Sequence, residues 1–120
     1  MLNISIWNRE FDLKVLYDCY VGEQVLEEQK EALNKFAADK KTIESSKIFT
    51  EKYCLSQNKN EIGADEIDNI FKYVIPESIF VKRDCRVAIM CRYKFDTEHG
   101  IAVVFYNGKF SEVGSQDIVL

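Results

Sequence analysis

RVAIMCRYKFDTEHGIAVVFYNGKFSEVG, residues 86–114, is the stretch whose reading decides the fold. Val87, Ile89, Cys91 and Tyr93 alternate with Ala88, Met90, Arg92 and Lys94, the period-two pattern of a strand with one apolar and one mixed face. After a polar connection at Asp96 to Gly100, Ile101 to Tyr106 is apolar at every position, which predicts an interior strand covered on both faces. Asn107-Gly108 then suits a two-residue type I′ turn, because both central residues need φ > 0. A tight turn there sets Tyr106 opposite Lys109, Phe105 opposite Phe110 and Val103 opposite Glu112.

Upstream, Leu2, Ile4 and Ile6 alternate with polar residues. After a break at Trp7 to Glu10, Phe11, Leu13, Val15, Tyr17 and Cys19 fall on one face. Two strands follow from this, with the only tryptophan at the bend as an anchor for the edge of the core. From Glu23 the period changes: Val25, Leu26, Gln29, Ala32, Leu33, Phe36 and Ala37 make a helical stripe, with Glu27, Glu28, Lys30, Glu31 and Lys35 on a solvated face. A second helix is predicted over Thr42 to Gln57, a loop over Ser56 to Gly63, and a short third helix capped by Asp65 and ended by Pro76. Ser78 to Lys82 resumes strand character. The expectation is one α+β domain over residues 1–120: a mainly antiparallel sheet of about five or six strands, with two or three helices between the N-terminal strands and the C-terminal hairpins.

At 120 residues the chain can bury a core without metal or disulfide support. Net charge is −4 and the basic residues are scattered, which argues against a nucleic-acid footprint and favours solubility or a basic partner. No apolar run approaches the roughly 20 residues that span a bilayer. Met1 to Trp7 lacks the basic start and apolar core of a signal peptide, so the expected setting is cytoplasmic, without membrane association. Cys19, Cys54, Cys85 and Cys91 have no zinc-like spacing and read as free, mostly buried thiols.

Asp96-Thr97-Glu98-His99-Gly100 places two carboxylates and the only histidine together, a set that could bind a divalent ion or share a proton. Polar residues and Gly are equally what a strand connection requires, and three ligands so close in sequence rarely converge on one ion. We therefore expect His99 to hold the loop by hydrogen bonds, partly buried, with Gly100 in a conformation other residues resist. A Cys91–His99 nucleophile pair would need the histidine to fold back over its own strand, and no Gly-rich phosphate loop is present. The reading names no catalytic residue, metal ligand or cofactor.

The segment YKFDTEHGIAVVFYNGKFSEVGSQD, with the upstream DEIDNIFKYVIPESIFV, resembles a family of small uncharacterised bacterial domains of unknown function. The resemblance rests on Asp96, Glu98, His99, Gly100, the strand Ile101 to Phe105, Asn107, Gly108, Val113, Gly114 and Asp117, with Pro76 before a strand, and spans residues 65 to 118 best. Domains of this type occur beside immunity proteins of polymorphic toxin systems, which implies a role in binding and neutralising a toxin-like partner. With the acidic charge, this favours a non-enzymatic protein-binding domain whose interface uses Tyr20, Glu23, Tyr106 and Glu112. The alternative is a metal-dependent hydrolase or small-ligand domain centred on Asp96, Glu98 and His99.

Overall fold

Strands β1 (Leu2–Ile6) and β2 (Arg9–Tyr17) form an antiparallel hairpin in a computed structural model that describes residues 1–120. Trp7 and Asn8 make the turn, both at positive φ, 52° and 64°. That conformation costs a bulky residue free energy. Trp7 offsets it by being only 3% exposed and by donating Nε1–H to Ser46 Oγ at 3.1 Å. The expected anchoring role at the bend is thus observed.

Helices α1 (Glu27–Ala38) and α2 (Lys40–Ile62) follow, then β3 (Val74–Val81), which runs parallel to β2 in the register Tyr17 with Val81. Parallel neighbours need a long crossover, and the helix pair supplies it. β3 continues antiparallel into β4 (Val87–Tyr93), β5 (Ile101–Tyr106) and β6 (Lys109–Gly114), so six strands lie in chain order with one parallel pair. The α+β class and the strand number agree with the sequence reading.

The helices differ from expectation. SQNKNEI, read as loop, forms the end of α2, and Gly63 closes it in the left-handed conformation, φ 73°. Asn58 breaks the helical backbone (φ −139°) while its Oδ1 accepts the Tyr93 hydroxyl at 2.7 Å, so a tertiary contact holds a segment whose polarity suggests a loop. No third α-helix forms. Ile70–Lys72 is a single 3₁₀ turn capped by Asn69, not Asp65, with Asn69 Oδ1 accepting from Phe71 N–H at 3.1 Å. Pro76 lies inside β3 and does not terminate a helix. β2 pairs with β3 only from Ser78 onward, and the β3–β4 register shifts between Pro76 and Ser78. Pro76 therefore occupies a locally unpaired edge beside a bulge, where its missing N–H costs little. In α1 the helical backbone begins at Glu27, after Val25 and Leu26.

The Asn107-Gly108 turn forms as expected, with φ 51° and 78°, and Tyr106–Lys109 and Phe105–Phe110 are in register. Val103 pairs with Val113 instead of Glu112, because a bulge between Val104 and Phe105 lets Ser111 loop out. Without that extra residue Glu112 would point under the helices. With it, Val113 takes that place and Glu112 pairs with Val104 on the opposite face.

Ile79, Val81, Ile89, Ile101 and Val103 are fully buried against Phe36, Ile43 and Cys54 of the helices. Each such side chain contributes about 1.5–3 kcal/mol by leaving water. The other face carries Ala88, Met90, Ala102 and Val104, covered by Val119 and Ile118 of the C-terminal segment. Small residues let that segment lie close: a Cβ on Gly114 would sit 3.2 Å from Ile118 Cγ2. Lys82 Nζ donates to the Val119 carbonyl at 2.7 Å and holds the segment down. β5 is thus covered on both faces from Ile101 to Phe105, while Tyr106, the last residue of the apolar run, is exposed. No helix is long and apolar enough to cross a membrane.

Candidate binding cleft

Tyr17, Val81, Val87, Phe105 and Phe110 stand in successive register across β2 to β6 and form a row at one end of the sheet. The exit of β2, the β3–β4 turn and the Asn107-Gly108 turn therefore share that end. Three of the sequence-derived candidates gather there. Tyr20 and Glu23 follow β2, and Tyr106 precedes the turn. Arg83 of the β3–β4 turn joins the first two, its guanidinium 4.3 Å from the Tyr20 ring centroid and its Nη1 2.8 Å from Glu23 Oε2. Tyr20 is 65% exposed and Tyr106 52%, with Val21 fully exposed between the strand and α1.

Between α1 and the β5–β6 turn lies a cleft of about 270 Å³. Its floor is Ala32, Phe36, Ile43, Val87 and Phe105, and the Phe36 and Phe105 rings meet at 5.0 Å. Glu28, Glu31, Lys35 and Asp39 stand along the helical side, Cys85 and Tyr106 along the strand side. The helical stripe that buries Phe36 sets these charges at its margin. Lys35 Nζ donates to Asn107 Oδ1 at 2.8 Å and ties α1 to the turn. Asp39 caps α2 by accepting from Thr42 N–H at 3.2 Å and from Thr42 Oγ1 at 2.8 Å, while the Thr42 hydroxyl also approaches the Gly108 carbonyl at 3.4 Å. These bonds close one end of the cleft.

The local field is negative. Burial, followed by the carboxylates of Glu28, Asp84 and Glu31, raises the Cys85 thiol above its usual range, which makes it a poor nucleophile. The other thiols offer no better one: Cys54 is pushed up to about 11 by burial, and burial raises Cys91 further. Two of the four thiols, Cys54 and Cys91, are buried, where most were expected to be; all are free.

Asp96, Glu98 and His99 lie at the opposite end of the sheet, in the β4–β5 connection. His99 Nδ1 is 3.1 Å from both Asp96 carboxylate oxygens, and its backbone N–H donates to Asp96 Oδ1 at 3.1 Å. The pair raises the His99 pKa and lowers that of Asp96. The imidazole is 45% exposed, so the loop is held by this pair without the burial expected from sequence. Gly100 has φ 60°, and a Cβ there would lie 2.5 Å from the Cys91 carbonyl oxygen, which accounts for the glycine. No group of three or more His, Cys, Asp or Glu side chains is placed to hold a metal ion, there or elsewhere. Glu112 stands apart from both places, on the sheet face away from the helices.

Sequence reasoning missed Glu28, Glu31, Lys35, Asp39 and Asn107 as a set. The spacing of Glu28, Glu31 and Lys35 along α1 marks the edge of the apolar stripe, but only the crossover brings that edge to the Asn107 turn far along the chain. A comparison with protein families gives a match whose description carries no indication of enzymatic activity. No curated protein and no solved structure matches the chain. The chain belongs to the family described as Domain of unknown function (DUF6985), which matches residues 1–120.

Proposed function

We propose that this is a non-enzymatic protein-binding domain that acts in the cytosol and engages a basic partner through the end of the sheet bearing the cleft. The observation that supports it most is the coincidence there of exposed Tyr20, Val21 and Tyr106 with an apolar-floored cleft edged by carboxylates. Tyrosines anchor interfaces at low entropic cost, and complementary charge speeds association. The net charge of −4 and four free cysteines accord with a soluble partner-binding role in a reducing compartment. Neutralising a toxin-like protein, which the sequence resemblance implies, is the specific form of this role that we favour.

The test is capture from an extract of the source cell on immobilised protein, followed by calorimetry with the purified captured partner. The double variant Tyr20→Ala/Tyr106→Ala should bind at least about tenfold more weakly, as expected for interface anchors. Failure to retain any specific protein, or equal binding by the variant, would refute the reading.

A further inference from the structure

Resting on that reading, we propose that the cleft receives one long cationic side chain, a lysine or arginine of the partner protein. Size is the first argument. At about 270 Å³ the cleft is below the usual range for a whole small-molecule ligand, roughly 300–1,000 Å³, and suits a single side chain. The second is the division between floor and margin. An aliphatic stem would lie on Phe36, Val87 and Phe105, and its charge would meet Glu28 and Glu31. This is the arrangement long basic side chains favour, with apolar stem and charged head in different surroundings.

Charge complementarity decides the sign. Glu28, Glu31 and Asp39 face a single cation, Lys35, whose ammonium is already bonded to Asn107. Of the cations around it, Lys30 is paired with Glu27, Arg83 with Glu23 and Arg86 with Asp84, while Lys40, Lys41 and Lys109 make no ion pair but do not line the cleft. An incoming ammonium or guanidinium would therefore meet the unpaired carboxylates of Glu28 and Glu31 at the mouth, and an anionic group would be repelled.

The experiment uses four probes: the Nα-acetyl methylamides of lysine and arginine, with the norleucine and citrulline derivatives as neutral counterparts. Amide resonances of Ala32, Val87 and Gly108 are followed by NMR during titration. The cationic probes should shift these amides and the neutral ones should not. Glu28→Gln/Glu31→Gln, two exposed changes compatible with folding, should weaken the response about fivefold. The same variant should weaken the captured partner and make its binding less sensitive to salt. Equal shifts from the neutral probes, or none from the cations, would overturn the side-chain proposal while leaving the Tyr20/Tyr106 result standing. Cation binding in a protein that captures no partner would overturn both the proposal and the protein-binding reading, and would assign the cleft to a free amine.

Discussion

Gly100→Ala should be among the most damaging single-methyl additions in this domain. Gly100 lies at φ 60°, and its added Cβ would come within 2.5 Å of the Cys91 carbonyl oxygen and 2.6 Å of Gln116 Nε2. The two contacts differ in kind. Gln116 can swing away, at the loss of its 3.1 Å hydrogen bond to that same carbonyl, about 0.5–1.5 kcal/mol. The carbonyl belongs to β4, whose Cys91 pairs with both Pro76 and Ile101, so it cannot yield without distorting the sheet, at about 1–3 kcal/mol. The left-handed backbone adds about 1–2 kcal/mol for a non-glycine residue. Together these give about 2.5–6.5 kcal/mol, against a total stability of about 5–15 kcal/mol for a domain. Gly63→Ala is the control, since φ is 73° there and nothing lies within 4 Å of the new Cβ. It should lose only the conformational part, about 1–2 kcal/mol. Urea denaturation followed by circular dichroism measures both. Losses within about 0.5 kcal/mol of each other would mean that the close approach to β4 carries no energy.

Gln29 is fully buried, with Oε1 accepting from Leu26 N–H at 2.9 Å and Nε2 donating to the carbonyls of Asp18 at 3.0 Å and Val81 at 3.3 Å. Gln29→Leu should cost about 2–4 kcal/mol in urea denaturation, and a loss under about 1 kcal/mol would deny it a role in joining α1 to β2 and β3. The hydrogen bond to Asp96 raises the His99 pKa above 6.5, so the pair stabilises the fold fully below pH 6.5 as long as Asp96 stays ionised, less as pH climbs through the folded His99 value, and less again in acid as the Asp96 carboxylate is protonated. An NMR titration should place the wild-type imidazole above 6.5 and return it toward 6.5 in Asp96→Asn; identical titrations would dissolve the pair. Ellman's reagent at neutral pH should reach only Cys19 and Cys85 in the native protein and all four thiols in guanidinium. Rapid modification of Cys54 or Cys91 would contradict their burial.

Elements specified by local chemistry were legible in the sequence. Asn107-Gly108 makes its turn because two residues tolerate positive φ there, and Ile101 to Phe105 of β5 are buried on both faces because none of these side chains carries a polar group. Where neighbours decide, local pattern misleads. The polar end of α2 stays helical although Asn58 interrupts its backbone, with that residue held by the Tyr93 hydroxyl. Pro76 remains in a strand because β2 pairs with β3 only beyond it. Neither partner can be inferred from the segment itself.

The cleft illustrates the same limit at the level of function. Only residue type singles out Tyr20, Glu23 and Tyr106 in the sequence, yet they share one end of the sheet because β2 and β3 run parallel and deliver their C-terminal ends to the same side. An antiparallel β2–β3 pair would have sent the exit of β2, and Tyr20 with it, to the end that carries Asp96 and His99. The parallel pair follows in turn from the two helices between the strands, whose crossover also lays the carboxylates of Glu28 and Glu31 beside the Asn107-Gly108 turn. The acidic face of α1, which by composition is an ordinary solvated surface, thus comes to line a cleft with the β5–β6 turn through connectivity. It follows that the cleft should be sensitive to the α1–turn tether of Lys35 and Asn107 as well as to its own carboxylates, since that bond holds the two walls in place.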